Sequence, residues 1–209
     1  MKHECVFAYS AMVTICCVSA TSFAATVDFE TVPLAAYGAA FDDVPGDVVL
    51  IQGGVEISVE EFLLGSFVGF IKAEVGGVYA DQFLTTPLGL DNISVKFDFA
   101  DVGFDVTVLT LEYQEFGGGN NFAVNGHALY QLGALTDLPA DVAPGITASV
   151  VEQVSITLEA ADGYVIGSFL IGGQELGIDN IVALPEPATA ALLALGGILL
   201  LRRRRRRMN

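Results

Sequence analysis

Cysteine is almost missing from this chain: Cys5, Cys16 and Cys17 are the only three, and all lie near the start. From residue 18 onward there is no thiol, which excludes disulfides, thiolate metal sites and a cysteine nucleophile from that part. Neither Cys16 nor Cys17 follows the small residues of a lipoprotein box, so no lipid anchor is expected. Tryptophan is absent and histidine occurs twice, at His3 and His127. No Gly-x-Ser-x-Gly elbow, His-Glu-x-x-His helix or phosphate loop occurs. Glu112 and Glu115 are the nearest pair of carboxylates for glycoside hydrolysis, but residues three apart on a strand face opposite ways. A non-catalytic protein is the expectation, with a glycoside hydrolase the weaker alternative.

Basic residues are also scarce, nine in all, and six of them are the run Arg202, Arg203, Arg204, Arg205, Arg206 and Arg207. Long apolar runs are confined to the two ends. At the start, Lys2 precedes an apolar Val6–Ala20, and Ser22-Phe23-Ala24 places small residues where a signal peptidase reads them. Residues 1–24 are therefore predicted to be a signal peptide cleaved before Ala25, with an uncleaved anchor as the alternative. At the other end, residues 188–201 are Ala, Leu, Ile and Gly apart from Thr189. As a helix this run reaches about 21 Å, short of a ~30 Å hydrocarbon layer unless the first arginines snorkel. Six arginines resist translocation, so they stay in the cytoplasm and leave the rest outside. Pro185 and Pro187 fix their own φ and push their predecessors towards extended geometry, so Leu184–Pro187 is predicted to be an exposed, extended peptide. A plain C-terminal anchor and a polybasic nucleic-acid tail are the other readings. The acidic remainder of the chain speaks against nucleic acid.

Pro185-Glu186-Pro187, a short apolar helix and a terminal arginine cluster together resemble the PEP-CTERM sorting signal of exopolysaccharide-producing Gram-negative bacteria. The resemblance covers residues 184–209, with Leu184 where the commonest form has valine. It implies recognition by an exosortase, a membrane cysteine protease or transpeptidase. That enzyme would remove the tail (motif 185–187, transmembrane span 188–201, arginines 202–207) after transient anchoring in the inner membrane. It would leave the body at the cell surface or outside the cell.

The body, residues 25–183, carries 23 acids against Lys72 and Lys96, a formal charge of −21. Such a surface rejects nucleic acid and anionic lipid and attracts divalent cations. Its apolar residues recur every second position. Val55, Ile57 and Val59 alternate with Glu56, Ser58 and Glu60; Ile93, Val95, Phe97 and Phe99 with Ser94, Lys96 and Asp98; Val154, Ile156 and Leu158 with Ser155, Thr157 and Glu159. Phe104–Tyr113, with Phe104, Val106 and Val108 on one face, and Tyr164–Ile171 complete the predicted strands. Turns are predicted at Gly53-Gly54, Gly76-Gly77, Gly117–Asn121, Asn125-Gly126, Asp162-Gly163 and Gly172-Gly173. The expected fold is all-β: one antiparallel β-sandwich domain, jelly-roll-like, flanked by the signal helix and the transmembrane helix.

Within the body, Val27-Asp28-Phe29-Glu30 and Leu176-Gly177-Ile178-Asp179-Asn180-Ile181 resemble stretches of carbohydrate-binding sandwich modules. That resemblance implies a structural Ca²⁺ on Asp28, Glu30 and Asp179, since terminal strands often pair and hard oxygen ligands suit calcium. Asp98, Asp101 and Asp105 form a second acidic group without the spacing of a calcium loop. Leu88-Gly89-Leu90-Asp91-Asn92-Ile93 echoes the late hexad almost letter for letter. Tyr113, Phe116, Phe122 and Tyr130 flank the Gly117–Asn121 stretch as core or as a sugar platform. His127 reads as an exposed turn residue. The expected role is a surface or matrix protein, structural or adhesive; the alternative is a module binding exopolysaccharide.

Overall fold

The structure, a computed structural model, describes residues 24–76, 84 and 86–185. The signal segment, Glu186, Pro187, the apolar run 188–201 and the arginines lie outside the described residues. Among the described residues, no helix is long and apolar enough to cross a membrane; two 3-10 turns, Ala39–Phe41 and Leu135–Asp137, are the only helical elements.

The strands follow in chain order: β1 (Ala25–Val27), β2 (Ala36–Tyr37), β3 (Val48–Gln52), β4 (Val55–Glu60), β5 (Phe62–Leu64), β6 (Phe67–Gly69), β7 (Lys72–Val75) and β8 (Leu88–Asp91). After them come β9 (Ile93–Asp98), β10 (Val106–Val124), β11 (Tyr130–Leu132), β12 (Asp141–Ala143), β13 (Ile146–Val151), β14 (Ser155–Ala160) and β15 (Ser168–Pro185). Every pairing is antiparallel.

The two long strands organise the rest. β10 and β15 pair from Val106↔Pro185 to Val124↔Phe169, with register shifts around Gly117–Asn120. Those shifts divide the pair into two wings. One wing is β11–β10–β15–β9–β4–β3, built on the late half of β10 and the early half of β15. The other adds β14, β13 and β12 beside early β10, and β8, β7, β2 and β1 beside late β15. Buried side chains of both wings meet in one core, so the architecture is consistent with an all-β sandwich. At its centre Phe97 stacks on Phe169 at 4.6 Å, with Phe99 and Phe122 6.1 and 6.4 Å from the same ring.

Several expected strands hold as read. Val55, Ile57 and Val59, and Ile93, Val95, Phe97 and Phe99, are all buried. Gly53 and Gly54 both take positive φ (61° and 83°), the geometry of a tight hairpin turn. Other expectations are corrected. Gly117–Asn121 and Gly172-Gly173 are not turns: both long strands continue through them. Gly117 and Gly118 take φ of 155° and 78°, and a Cβ on Gly118 would stand 2.5 Å from that of Gln174, so the glycines make a bulged corner inside a strand. Gly172 lies between Ser94 and Asn121 in adjacent strands, where a Cβ would meet Ser94 Oγ. In β10 the inward face is Val106, then Leu109, Leu111 and Tyr113, because a register shift between Val106 and Val108 flips the alternation. Residues 164–167 precede the strand that was expected to contain them, and Val154 is exposed ahead of β14.

Candidate functional site

The two ends of the described chain lie side by side. Ala25, Thr26 and Val27 pair with Ala183, Val182 and Ile181, as terminal strands of a sandwich do. On its other edge, late β15 is held by β10: Val182↔Thr110, Ala183↔Leu109, Leu184↔Val108 and Pro185↔Val106. Leu184 and Pro185 are extended, as expected, but they are half-buried and paired rather than exposed. The proline argument predicts backbone shape; it says nothing about whether a neighbouring strand covers that backbone.

Next to this seam lie the carboxylates. Asp179 is fully buried on β15 opposite Glu112 of β10. Its Oδ1 accepts from the Asn180 amide at 2.8 Å, and its Oδ2 has no hydrogen-bond partner. Burial pushes the Asp179 carboxyl up, the amides of Asn180 and Thr86 pull it down, and the charges of Glu30 and Glu112 raise it further. Asp28 is drawn elsewhere: its Oδ1 accepts from Gln52 Nε2 at 2.8 Å and from the Glu30 amide at 3.2 Å. Of the expected trio, Glu30 and Asp179 feel one another, while Asp28 is engaged with Gln52. Glu112 joins instead, with Oε2 accepting from Asn180 Nδ2 at 2.8 Å. Sequence reading missed that role because the pairing of Glu112 with Asp179 is long-range. Among the described residues, no three His, Cys, Asp or Glu side chains gather closely enough to hold a metal ion. Asp98 caps Ala100 and pairs with Lys96 at 3.0 Å, so it does not unite with the exposed Asp101 and Asp105. Glu115 is used structurally, accepting from Asn120 and from the Leu135 amide.

A second feature was not foreseen. On the outer face of the first wing, Lys96, Leu170 and Ala123 occupy adjacent register positions across β9, β15 and β10. Glu60, Glu61 and Leu63 rise on one side and His127 and Leu129 on the other, enclosing a cavity of about 330 Å³. The β5–β6 hairpin is fixed beside it by Asn121, whose amide exchanges bonds of 2.7 and 2.6 Å with the Leu63 backbone. Gln131 Oε1 receives Gly65 N at 2.7 Å. His127 is exposed in the turn after Asn125-Gly126, as expected. Tyr113 and Phe122 are core, Tyr130 is half-buried, and Phe116 is exposed, so no flat aromatic platform forms beside Gly117–Asn121.

No protein-family model matches this chain, and no curated protein matches it.

Proposed function

We propose that this is an exported protein whose tail is recognised at Pro185-Glu186-Pro187 and removed by an exosortase. Signal peptidase removes residues 1–24, and residues 188–207 hold the chain in the inner membrane until trimming. The acidic body is then left at the cell surface or in the extracellular matrix, with a structural or adhesive, non-catalytic role. One observation carries the reading. Ala25–Val27, directly after the expected leader cleavage, pairs with Ile181–Ala183, just ahead of the motif, so the segments next to the two addresses lie side by side in one sheet.

In this reading the bent, all-antiparallel sheet is a jelly-roll-like sandwich, and Ca²⁺ stabilises it at Asp179 and Glu30, without Asp28. The orphaned, buried Oδ2 of Asp179 suits a hard cation, which when bound supplies counter-charge to these carboxylates. Glu186→Ala tests the sorting reading: uncleaved precursor should accumulate in the inner membrane, and normal maturation of that variant would refute it. Mass spectrometry of the mature C-terminus reports whether the body is released or attached.

The cavity at Lys96 and His127 favours a second reading, a module engaging exopolysaccharide. Its apolar floor suits the C–H face of a sugar ring, and Glu60, Glu61 and Lys96 supply acceptors and a donor for hydroxyl groups. A glycan array on the purified body separates the two. Specific retention that is lost on Leu170→Trp, which fills the cavity, supports binding; no retention leaves the structural role.

A further inference from the structure

The motif at which the tail is read has no slack ahead of it. Val182 and Ala183 are clasped on both edges, by β10 on one side and β1 on the other, and Ile181 pairs with β1. Among the described residues, Leu184 and Pro185 are held on one edge alone, at the register shift where β10 is already irregular, and Pro185 has no N–H to give. A protease takes its substrate as an extended chain and bonds to the free edge of the backbone. Upstream of Leu184 that edge is filled.

Resting on the sorting reading above, we infer that β1 is a latch on tail removal. The new N-terminus left by signal peptidase docks as Ala25–Val27 against Ala183–Ile181 and closes the edge that the sorting enzyme needs. Trimming then requires β1 to leave, so leader removal and tail removal are coupled through one ladder of three residue pairs. The latch is short, three residue pairs with Thr26 exposed on its outer face. Ala25 and Val27 are buried in the core and must leave it for the latch to open. β1 is not tied from its far side by any strand, since its only ladder among the described residues is with β15. Strand β15 itself stays anchored through β10 when β1 departs, so opening the latch frees the approach to the motif without unfolding the sheet.

The pair Thr26↔Val182 gives a direct test, because it points away from the core and the chain beyond the leader has no cysteine to interfere. The leader-processed precursor, residues 25–209, carrying Thr26→Cys and Val182→Cys is prepared oxidised and reduced, then incubated with exosortase-bearing membranes. Trimming is followed by mass spectrometry. The oxidised form should be trimmed more slowly by about fivefold or more, the factor that a single backbone hydrogen bond commands in an equilibrium, and reductant should restore the rate. Deleting residues 25–27 should accelerate trimming, provided that thermal unfolding shows an intact body. Equal rates for the oxidised and reduced forms overturn the latch while leaving the sorting reading intact. A wild-type chain that keeps its tail, or a Glu186→Ala chain that loses it, overturns the sorting reading and the latch together.

Discussion

Two hexads with nearly the same letters, Leu88–Ile93 and Leu176–Ile181, end in different physical states. They lie against one another, with Leu88, Gly89 and Leu90 paired to Ile178, Gly177 and Leu176. Both carry an Asn in the left-handed region, Asn92 at φ 51° and Asn180 at φ 48°, and in both a local bond ties that Asn to the preceding Asp. There the likeness stops. Asp91 is half-buried and accepts from Asn92 Nδ2 at 2.8 Å, whereas Asp179 is fully buried with one oxygen unpartnered. The cause is position. Both strands are flanked on two edges, but Asp91 stands opposite Lys72 of β7, whereas Asp179 stands opposite Glu112 of β10 and within electrostatic reach of Glu30. Local sequence sets the kink; the fold decides which copy bears a strained charge.

The comparison can be broken at several points. The largest effect is expected where the hexads agree: Leu90 and Ile178 are both fully buried, and either one changed to Ala should lower unfolding free energy by about 2–5 kcal/mol in urea titrations. A loss near zero at either site would remove that half of the core from the account. Next comes calcium. At about a hundredfold excess over its dissociation constant, Ca²⁺ should stabilise the body by about 2.7 kcal/mol relative to chelator. That gain should vanish in Asp179→Asn and survive in Asp91→Asn, as read by thermal shift.

Without metal, Asp179→Asn should stabilise the protein at neutral pH by about 1–3 kcal/mol, because it removes a buried charge that has one oxygen unpartnered and faces Glu30 and Glu112. Asp91→Asn should stay within about 0.5 kcal/mol. The pH dependence follows from the raised carboxyl of Asp179. Its contribution to stability is complete below the ordinary value of 3.8 and is lost as pH rises through the raised folded value. Asp179→Asn should flatten that fall in chelator. The smallest effect is at the kinks: Asn92→Ala should cost about 1 kcal/mol more than Asn92→Gly, since both lose the side-chain bonds to Asp91 and Gln174 but only Gly fits the left-handed φ.

The all-β class was legible from alternation alone, and strands β4 and β9 show why: their apolar residues hold one face without interruption. β10 was legible only in part. Its phase reverses between Val106 and Leu109, and a one-residue bulge leaves no mark in composition. Glycine misled in the same way, because Gly117, Gly118 and Gly172 serve close approach between strands rather than chain reversal. Of the candidate residues, the expected proximity of Asp179 and Glu30 rested on terminal strands pairing, which β1 and β15 do. Glu112 and the Lys96–His127 cavity depend on cross-strand register, which no local pattern encodes.

The pairing of Pro185 with Val106 has a mechanical consequence. Early β10 runs from Val106 to Glu115 before the glycine corner, about 30 Å at strand rise. A pull on the chain at Pro185 along the strand therefore loads that ladder in shear, with many backbone bonds sharing the force instead of opening one after another.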